Sequence, residues 1–271
     1  MYLTRHSTSA GPCWAVDGKL LPAGVTLSTL LALPESRLSS LLTELATDEE
    51  ACGALLAPLD DHQEVWGSGV TYLRSRDARK AESETASDVY QQVYDAARPE
   101  IFFKQVGWRT VGHGQIVRIR ADTTWNVPEP ELCLVINAAA HIVGYTVGND
   151  MSSRDIEGAN PLYLPQAKTY DGSAAVGPGI RLAPADALTD LAINLEIERN
   201  GAIAFAGETS TSQMKRTFPD LAEYLMREMT FPHGALLMTG TGIVPPDEFT
   251  LKNGDLTRII IDGLTLENSV A

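Results

Sequence analysis

Residues 129–155 read EPELCLVINAAAHIVGYTVGNDMSSRD, and this stretch decides the fold. Glu129 and Glu131 stand two apart at the head of an apolar run, so in an extended segment both side chains point to the same face. A second apolar run ends at Gly148-Asn149-Asp150 and supplies a third carboxylate. Three hard oxygen ligands, with positions left for water and substrate, suit Mg²⁺ with Mn²⁺ as a substitute, and no Cys/His set argues for zinc. Spacing alone leaves a second reading open, in which Glu129 and Glu131 sit on a solvated edge and Asp150 caps a turn.

Outward from this pair, short β-rich runs alternate with Gly and Pro: IFFKQVGW, QIVRIRA, LAINLEIERNGAIAF and LTRIIIDGLTLENSV. They predict a mainly β, α+β catalytic region whose chief helix runs from Phe218 to Met229. Val65 to Tyr72 reads as a strand, and Ser75 to Ala97 as helix-permissive up to Arg98-Pro99. Before it, short strands and a helical stretch, LTELATDEEACGALL at 42–56, predict a small N-terminal domain. The expected division is residues 1–62 and 63–271.

The net charge of −14, from 35 acidic and 21 basic residues, opposes a nucleic-acid partner. No apolar run approaches the roughly 20 residues needed to cross a bilayer, and the first residues lack an apolar signal core. No membrane partner and a cytoplasmic location are expected. Cys13, Cys52 and Cys133, an odd number at wide spacings, suggest neither a disulfide framework nor a thiolate metal site. His6, His62, His113, His141 and His233 show no pair at ligand spacing, so each is expected to be structural or exposed.

The stretch from Glu129 to Asp155 resembles the heart of the fumarylacetoacetate hydrolase family, in which an E-x-E pair and the Asp of a G-N-D turn hold a divalent metal. The likeness continues through Gln166 to Asp171, Gly177-Pro178, Leu237 to Gly242, Asn253-Gly254-Asp255 and Ile261 to Asn268, covering roughly residues 65 to 270 in order. It implies the family's mixed β-sandwich roll, a small N-terminal part and a homodimer or higher homo-oligomer. It also implies Mg²⁺ on Glu129, Glu131 and Asp150.

Hydrolases and decarboxylases of the family carry N-Y-x-x-H-x-x-E, whose His and Glu activate a water. This chain has Thr71-Tyr72-Leu73-Arg74-Ser75-Arg76-Asp77-Ala78, with Ser75 and Ala78 in place of that dyad. A Ser without a nearby base is a poor water activator. The segments GVTYLRSRDARKAES and SSRDIEGANPLYLPQAKTYDG resemble instead the family's dehydratases of 2-keto-3-deoxy sugar acids. The implied reaction is elimination of water from 2-keto-3-deoxy-D-arabinonate to give 2,5-dioxopentanoate. The alternatives are an acylpyruvate or diketo acid hydrolase or oxaloacetate-type decarboxylase, and a non-catalytic sugar-acid-binding protein.

Within that reading Lys168 is the expected base, or the cation beside the enolate, and Thr241 in the Thr-Gly-Thr-Gly turn is expected to hold the substrate carboxylate through its hydroxyl or backbone N–H groups. Arg74, Ser75, Arg154, Asp155, Tyr163 and Lys104 are the expected polar contacts to the 2-oxo acid substrate, although Arg154 and Asp155 could simply pair with each other. Ile156 to Pro165, with Glu157 and Tyr163, reads as a mobile loop over the site.

Overall fold

The structure is a computed structural model that describes residues 1–82 and 87–271. Its centre is the antiparallel pair Pro130–Ile136 and Ile142–Asp150, in which Glu131 lies opposite Gly148 and Leu134 opposite Tyr145. The reversal is made by Asn137, whose Oδ1 accepts the N–H groups of Ala139 at 3.0 Å and His141 at 2.9 Å. Every residue of Pro130–Ile136 is buried. Leu132, Leu134 and Ile136 enter one hydrophobic core and Cys133 and Val135 another. A strand covered on both faces reads as a continuous apolar run, which is what ELCLVI is.

This pair lies in a ten-stranded sheet. On one side of it come Ala174–Leu182, then Tyr2–Thr8 with its partner Leu55–Leu56, then Gly11–Val16 and Lys19–Leu20; on the other come Ala235–Met238, Glu64–Gly69 and Glu100–Val106. A five-stranded sheet, ordered Ala202–Ser210, Ala192–Arg199, Leu256–Ile261, Leu264–Val270 and Ile116–Val117, supplies Ile193, Leu195, Ile197, Ile259, Ile261 and Leu266 to the first core. The helix Phe218–Met226 closes it with Phe218, Leu221, Ala222 and Leu225. That helix is capped by Thr217, which accepts the Asp220 N–H, and has Pro in its first turn.

The second core is capped by the N-terminal helices Leu27–Leu31 and Glu35–Leu45. Residues 42–56 are not one helix. The helix stops at Leu45 because the Thr47 N–H and hydroxyl both donate to Leu20 O, and Gly53 takes a positive φ of 96° before the strand Leu55–Leu56. Of QIVRIRA only Ile116–Val117 is a strand. Ser75 to Ala97 divides into Leu73–Glu82 and Ser87–Asp95, with residues 83–86 outside the described residues. The stretch Ile156 to Pro165 is not an open loop: it lies in the helix Arg154–Ala159, the 3-10 turn Pro161–Tyr163 and the start of the helix Leu164–Lys168. Among the described residues no helix is long and apolar enough to cross a membrane.

Candidate metal centre and active site

The antiparallel register puts the end of one strand beside the start of the other, with Asp150 N–H donating to Glu129 O at 3.0 Å. One oxygen from each of Glu129, Glu131 and Asp150 lies within 4.8 Å of the others, and all three residues are buried. Two of the three are ringed by cations. Arg79 Nη2 donates to Glu129 Oε1 at 2.6 Å and Arg154 Nη2 lies 3.0 Å from the same oxygen. Lys168 Nζ is 2.8 Å from Glu129 Oε2, 3.2 Å from Asp150 Oδ2 and 2.7 Å from Ser152 Oγ. Lys104 Nζ is 2.5 Å from Asp150 Oδ1.

Glu131 has no ion pair among the described residues. Its Oε2 accepts the Gly240 N–H at 2.6 Å. Burial, then the charges of Asp150 and Glu129, push its carboxyl well above the usual range, and Lys168 and that N–H offset this only in part. Three buried carboxylates, one without a counter-charge, fit a hard divalent cation held through oxygen. The N–H reaches Glu131 because Gly240 adopts φ +91° two residues past the strand Ala235–Met238; a Cβ there would lie 2.1 Å from Thr71 Oγ1.

A narrow pocket of about 20 Å³ opens on this centre and is lined by Glu129, Lys168, Arg79, Glu157, Glu100 and Thr241, with Ser75 and Gly240 among its other walls. It adjoins a cavity of about 450 Å³ that shares Glu100, Glu157 and Leu164 with it and has Val89, Tyr90 and Val93 on its far wall. Burial works against the Lys168 ammonium, but Asp150, Glu129 and Glu157 more than offset it and hold its pKa above the ordinary lysine value.

The expected site residues are not all brought together. Lys168, Thr241 and Ser75 line the pocket. The Ser75 hydroxyl, however, donates to Tyr72 O at 2.9 Å and caps its own helix, and that of Thr241 accepts the Ile243 N–H at 3.1 Å within its turn. Arg154 pairs with Glu129, not with Asp155. Asp155 accepts the Thr124 N–H at 2.7 Å and Thr124 Oγ1 at 3.1 Å, a turn contact outside the pocket. Arg74 is exposed on the outer side of the helix Leu73–Glu82, because the pocket face is set by Ser75 and Arg79 one turn apart. Tyr163 is 47% exposed and lines neither cavity. Lys104 lines neither as well: it is fully buried behind Asp150. Burial pulls its pKa down, against the pull of Asp150. No histidine lines the pocket; His62 bonds Ser28 and packs edge-on against His233.

Sequence reasoning missed Arg79, Glu100 and the backbone of Gly240. Arg79 lies four residues after Ser75, so helical phase was its signal, and it also holds Glu157 through Nε at 3.1 Å. Glu100 shares one face of the strand Glu100–Val106 with Phe102 and Lys104, by two-residue alternation. Burial and the neighbouring Glu157 push its carboxyl up to about 7, although Lys168 and Arg79 pull the other way. Its strand partner is Gly69, where a Cβ would fall 1.9 Å from Glu100 Oε2.

The chain is similar to proteins of known family. The chain is 47% identical over 213 residues to a probable 2-keto-3-deoxyxylonate dehydratase of Haloferax volcanii, covering 78% of this chain and 73% of that protein. It is 43% identical over 211 residues to the 2-dehydro-3-deoxy-D-arabinonate dehydratase of Saccharolobus solfataricus, covering 75% and 70%. A solved 2-keto-3-deoxy-D-arabinonate dehydratase complexed with magnesium and 2,5-dioxopentanoate superposes with a TM-score of 0.83 at 33% identity, over 100% of this chain and 98% of that one. The family profile described as fumarylacetoacetate (FAA) hydrolase C-terminal matches residues 64–271, and the chain belongs to the fumarylacetoacetate hydrolase family.

Proposed function

We propose that the protein is a Mg²⁺-dependent hydro-lyase that converts 2-keto-3-deoxy-D-arabinonate to 2,5-dioxopentanoate. The observation that carries this reading is the make-up of the site: Glu129 of a buried carboxylate triad lines a pocket with Lys168 and Glu100, while in the sequence Ser75 and Ala78 stand where a water-activating His and Glu would be needed for hydrolysis. The dehydratase relatives support it.

Glu129, Glu131 and Asp150 would hold the metal, which when bound supplies Lewis acidity toward the carboxylate and keto oxygens of a 2-oxo acid. The narrow pocket is too small for a five-carbon acid, so the C4–C5 end extends past Glu100 into the larger cavity. Glu100, with a pKa of about 7, suits proton transfer in both directions near neutrality. As carboxylate it takes the C3 proton, while the Lys168 ammonium offsets the charge of the resulting enolate. The proton then passes from Glu100 to the C4 hydroxyl, which leaves as water. The double bond formed between C3 and C4 then shifts to C4–C5 as a proton leaves C5 and one is added at C3; that enol takes a proton at C4 and releases its hydroxyl proton, giving the C5 aldehyde.

A silent binding protein would have no use for the lysine and the high-pKa carboxyl that this pocket retains, and no observation favours hydrolysis. We further propose a division at residues 62 and 63, supported by the start of the family match at residue 64. Sheet pairing of Tyr2–Thr8 with Ala174–Leu182 makes the N-terminal part a docked extension. Homo-oligomerisation is proposed from family membership, and a cytoplasmic location from the three unpaired cysteines.

Incubation with Mg²⁺ and 2-keto-3-deoxy-D-arabinonate tests the reading. Formation of 2,5-dioxopentanoate is expected; cleavage of an acylpyruvate in its place overturns it.

A further inference from the structure

Lys104 lies mid-strand in Glu100–Val106 and is fully buried. Its ammonium has three N–H donors and meets three acceptors: Asp150 Oδ1 at 2.5 Å, Met151 O at 3.0 Å and, in a short contact, Lys168 O. The ammonium faces away from both cavities, which Lys104 does not line, so it is not placed to meet a substrate. The three acceptors belong to two separate pieces of chain, the end of the strand that carries Asp150 and the last residue of the helix Leu164–Lys168. A buried lysine that merely balanced charge would need only the carboxylate; this one also binds the backbone on both sides of the site.

We propose that Lys104 is a positioning residue of the metal centre. It pairs with Oδ1 of Asp150 and so holds the orientation of that carboxylate, and it ties the main chain of Lys168 to the same point. Asp150 and Lys168, 18 residues apart in sequence, are thereby held in a fixed relation. The inference rests on the reading of Glu129, Glu131 and Asp150 as metal ligands.

The sign of a single measurement separates positioning from charge balance. Removal of a positive charge 2.5 Å from a ligand oxygen strengthens the attraction of the site for a divalent cation if charge is all that matters. Removal of the clamp lets the Asp150 carboxylate turn away and weakens binding. The test uses the full chain with Lys104→Met, which keeps the length of the side chain, and Lys104→Gln, which keeps part of the hydrogen bonding. Mn²⁺ affinity is measured by titration against the electron paramagnetic resonance signal of the free ion, and metal-free thermal melting reports the fold. The proposal expects the Mn²⁺ Kd to rise about tenfold or more in folded Lys104→Met, with Lys104→Gln between it and wild type. Unchanged or tighter Mn²⁺ binding in either folded variant overturns it. Glu131→Gln is run alongside: if it binds Mn²⁺ as wild type does, the ligand assignment itself has failed, whatever Lys104 does.

Discussion

Glu129 and Glu131 come from one tripeptide at the head of one strand and are both buried, yet their surroundings are opposite. Glu129 contacts Arg79, Arg154 and Lys168; Glu131 contacts a glycine N–H and lies near the Tyr72 hydroxyl, whose own pKa burial and Glu131 both push up. The strand pairing brings the carboxylates together, and neighbouring elements then decide the state of each. Arg79 on one helix, Arg154 on another and Lys168 on a third all pair with Glu129. Glu131 has no ion pair among the described residues, so its charge is the one that a divalent cation held there would compensate.

The largest test of that contrast compares two amides. Glu131→Gln should abolish Mg²⁺-dependent turnover, by a factor of about 10³ or more, while melting at or above the wild-type temperature, because it removes a buried charge that lacks a cation. Glu129→Gln should lose activity as well, but it leaves three cations facing a neutral group and should cost about 3–5 kcal/mol in chemical denaturation. Equal destabilisation by the two amides would mean that the environments do not differ as described.

Next in size is Arg79→Met, which strips one partner from both Glu129 and Glu157. About 3 kcal/mol of stability should be lost, and adding Glu157→Gln should restore a measurable part of it, because the two share one ion-pair network. Additive losses in the double variant would show that Arg79 and Glu157 are not coupled.

The contrast also marks what was legible in the sequence. The central hairpin and its three carboxylates could be read from EPELCLVI and GND, because strand alternation and apolar runs are local signals. The cation ring could not be read in the same way. Arg79 and Glu100 reach the site through a helix turn and a strand face whose docking depends on distant partners, and Gly240 acts through its backbone, which leaves no side-chain signature. Arg74 and Arg76 were equally good arginines on paper; only the phase fixed by Ser75 facing inward makes Arg79 the one in the pocket. Lys104 was expected to touch the substrate, and nothing local in the sequence says that its ammonium meets Asp150, Met151 and Lys168. The helix expected over 42–56 failed for a related reason: Thr47 finds its partner in Leu20, far back in the chain.

Gly240→Ala probes the cation-free side with a smaller perturbation. The positive φ and the approach to Thr71 should cost about 1–3 kcal/mol, and a displaced N–H should weaken Mn²⁺ binding while Glu129 keeps its partners. Melting curves and metal titration read the two effects, and wild-type metal affinity in the variant would deny the Gly240 N–H any part in holding Glu131.

Glu100 sits between the two environments, raised by burial and Glu157 yet pulled down by Lys168 and Arg79, and it gives the smallest predicted effect. Its folded pKa of about 7 lies above the value of about 4.3 for a glutamate in an unfolded chain. Folding therefore takes up a proton between those values. The stabilising contribution is complete below the unfolded pKa and is lost as pH rises through about 7, so wild type should melt lower at pH 8 than at pH 6 and Glu100→Gln should lack that part of the decline. Activity moves in the opposite direction, because the C3 proton is taken by the carboxylate. With saturating Mg²⁺, kcat/KM should rise about tenfold per pH unit below the apparent pKa and level off above it. The residual rate of Glu100→Gln should have lost that limb; a limb that survives unchanged assigns the titrating group elsewhere and removes Glu100 from the proton path.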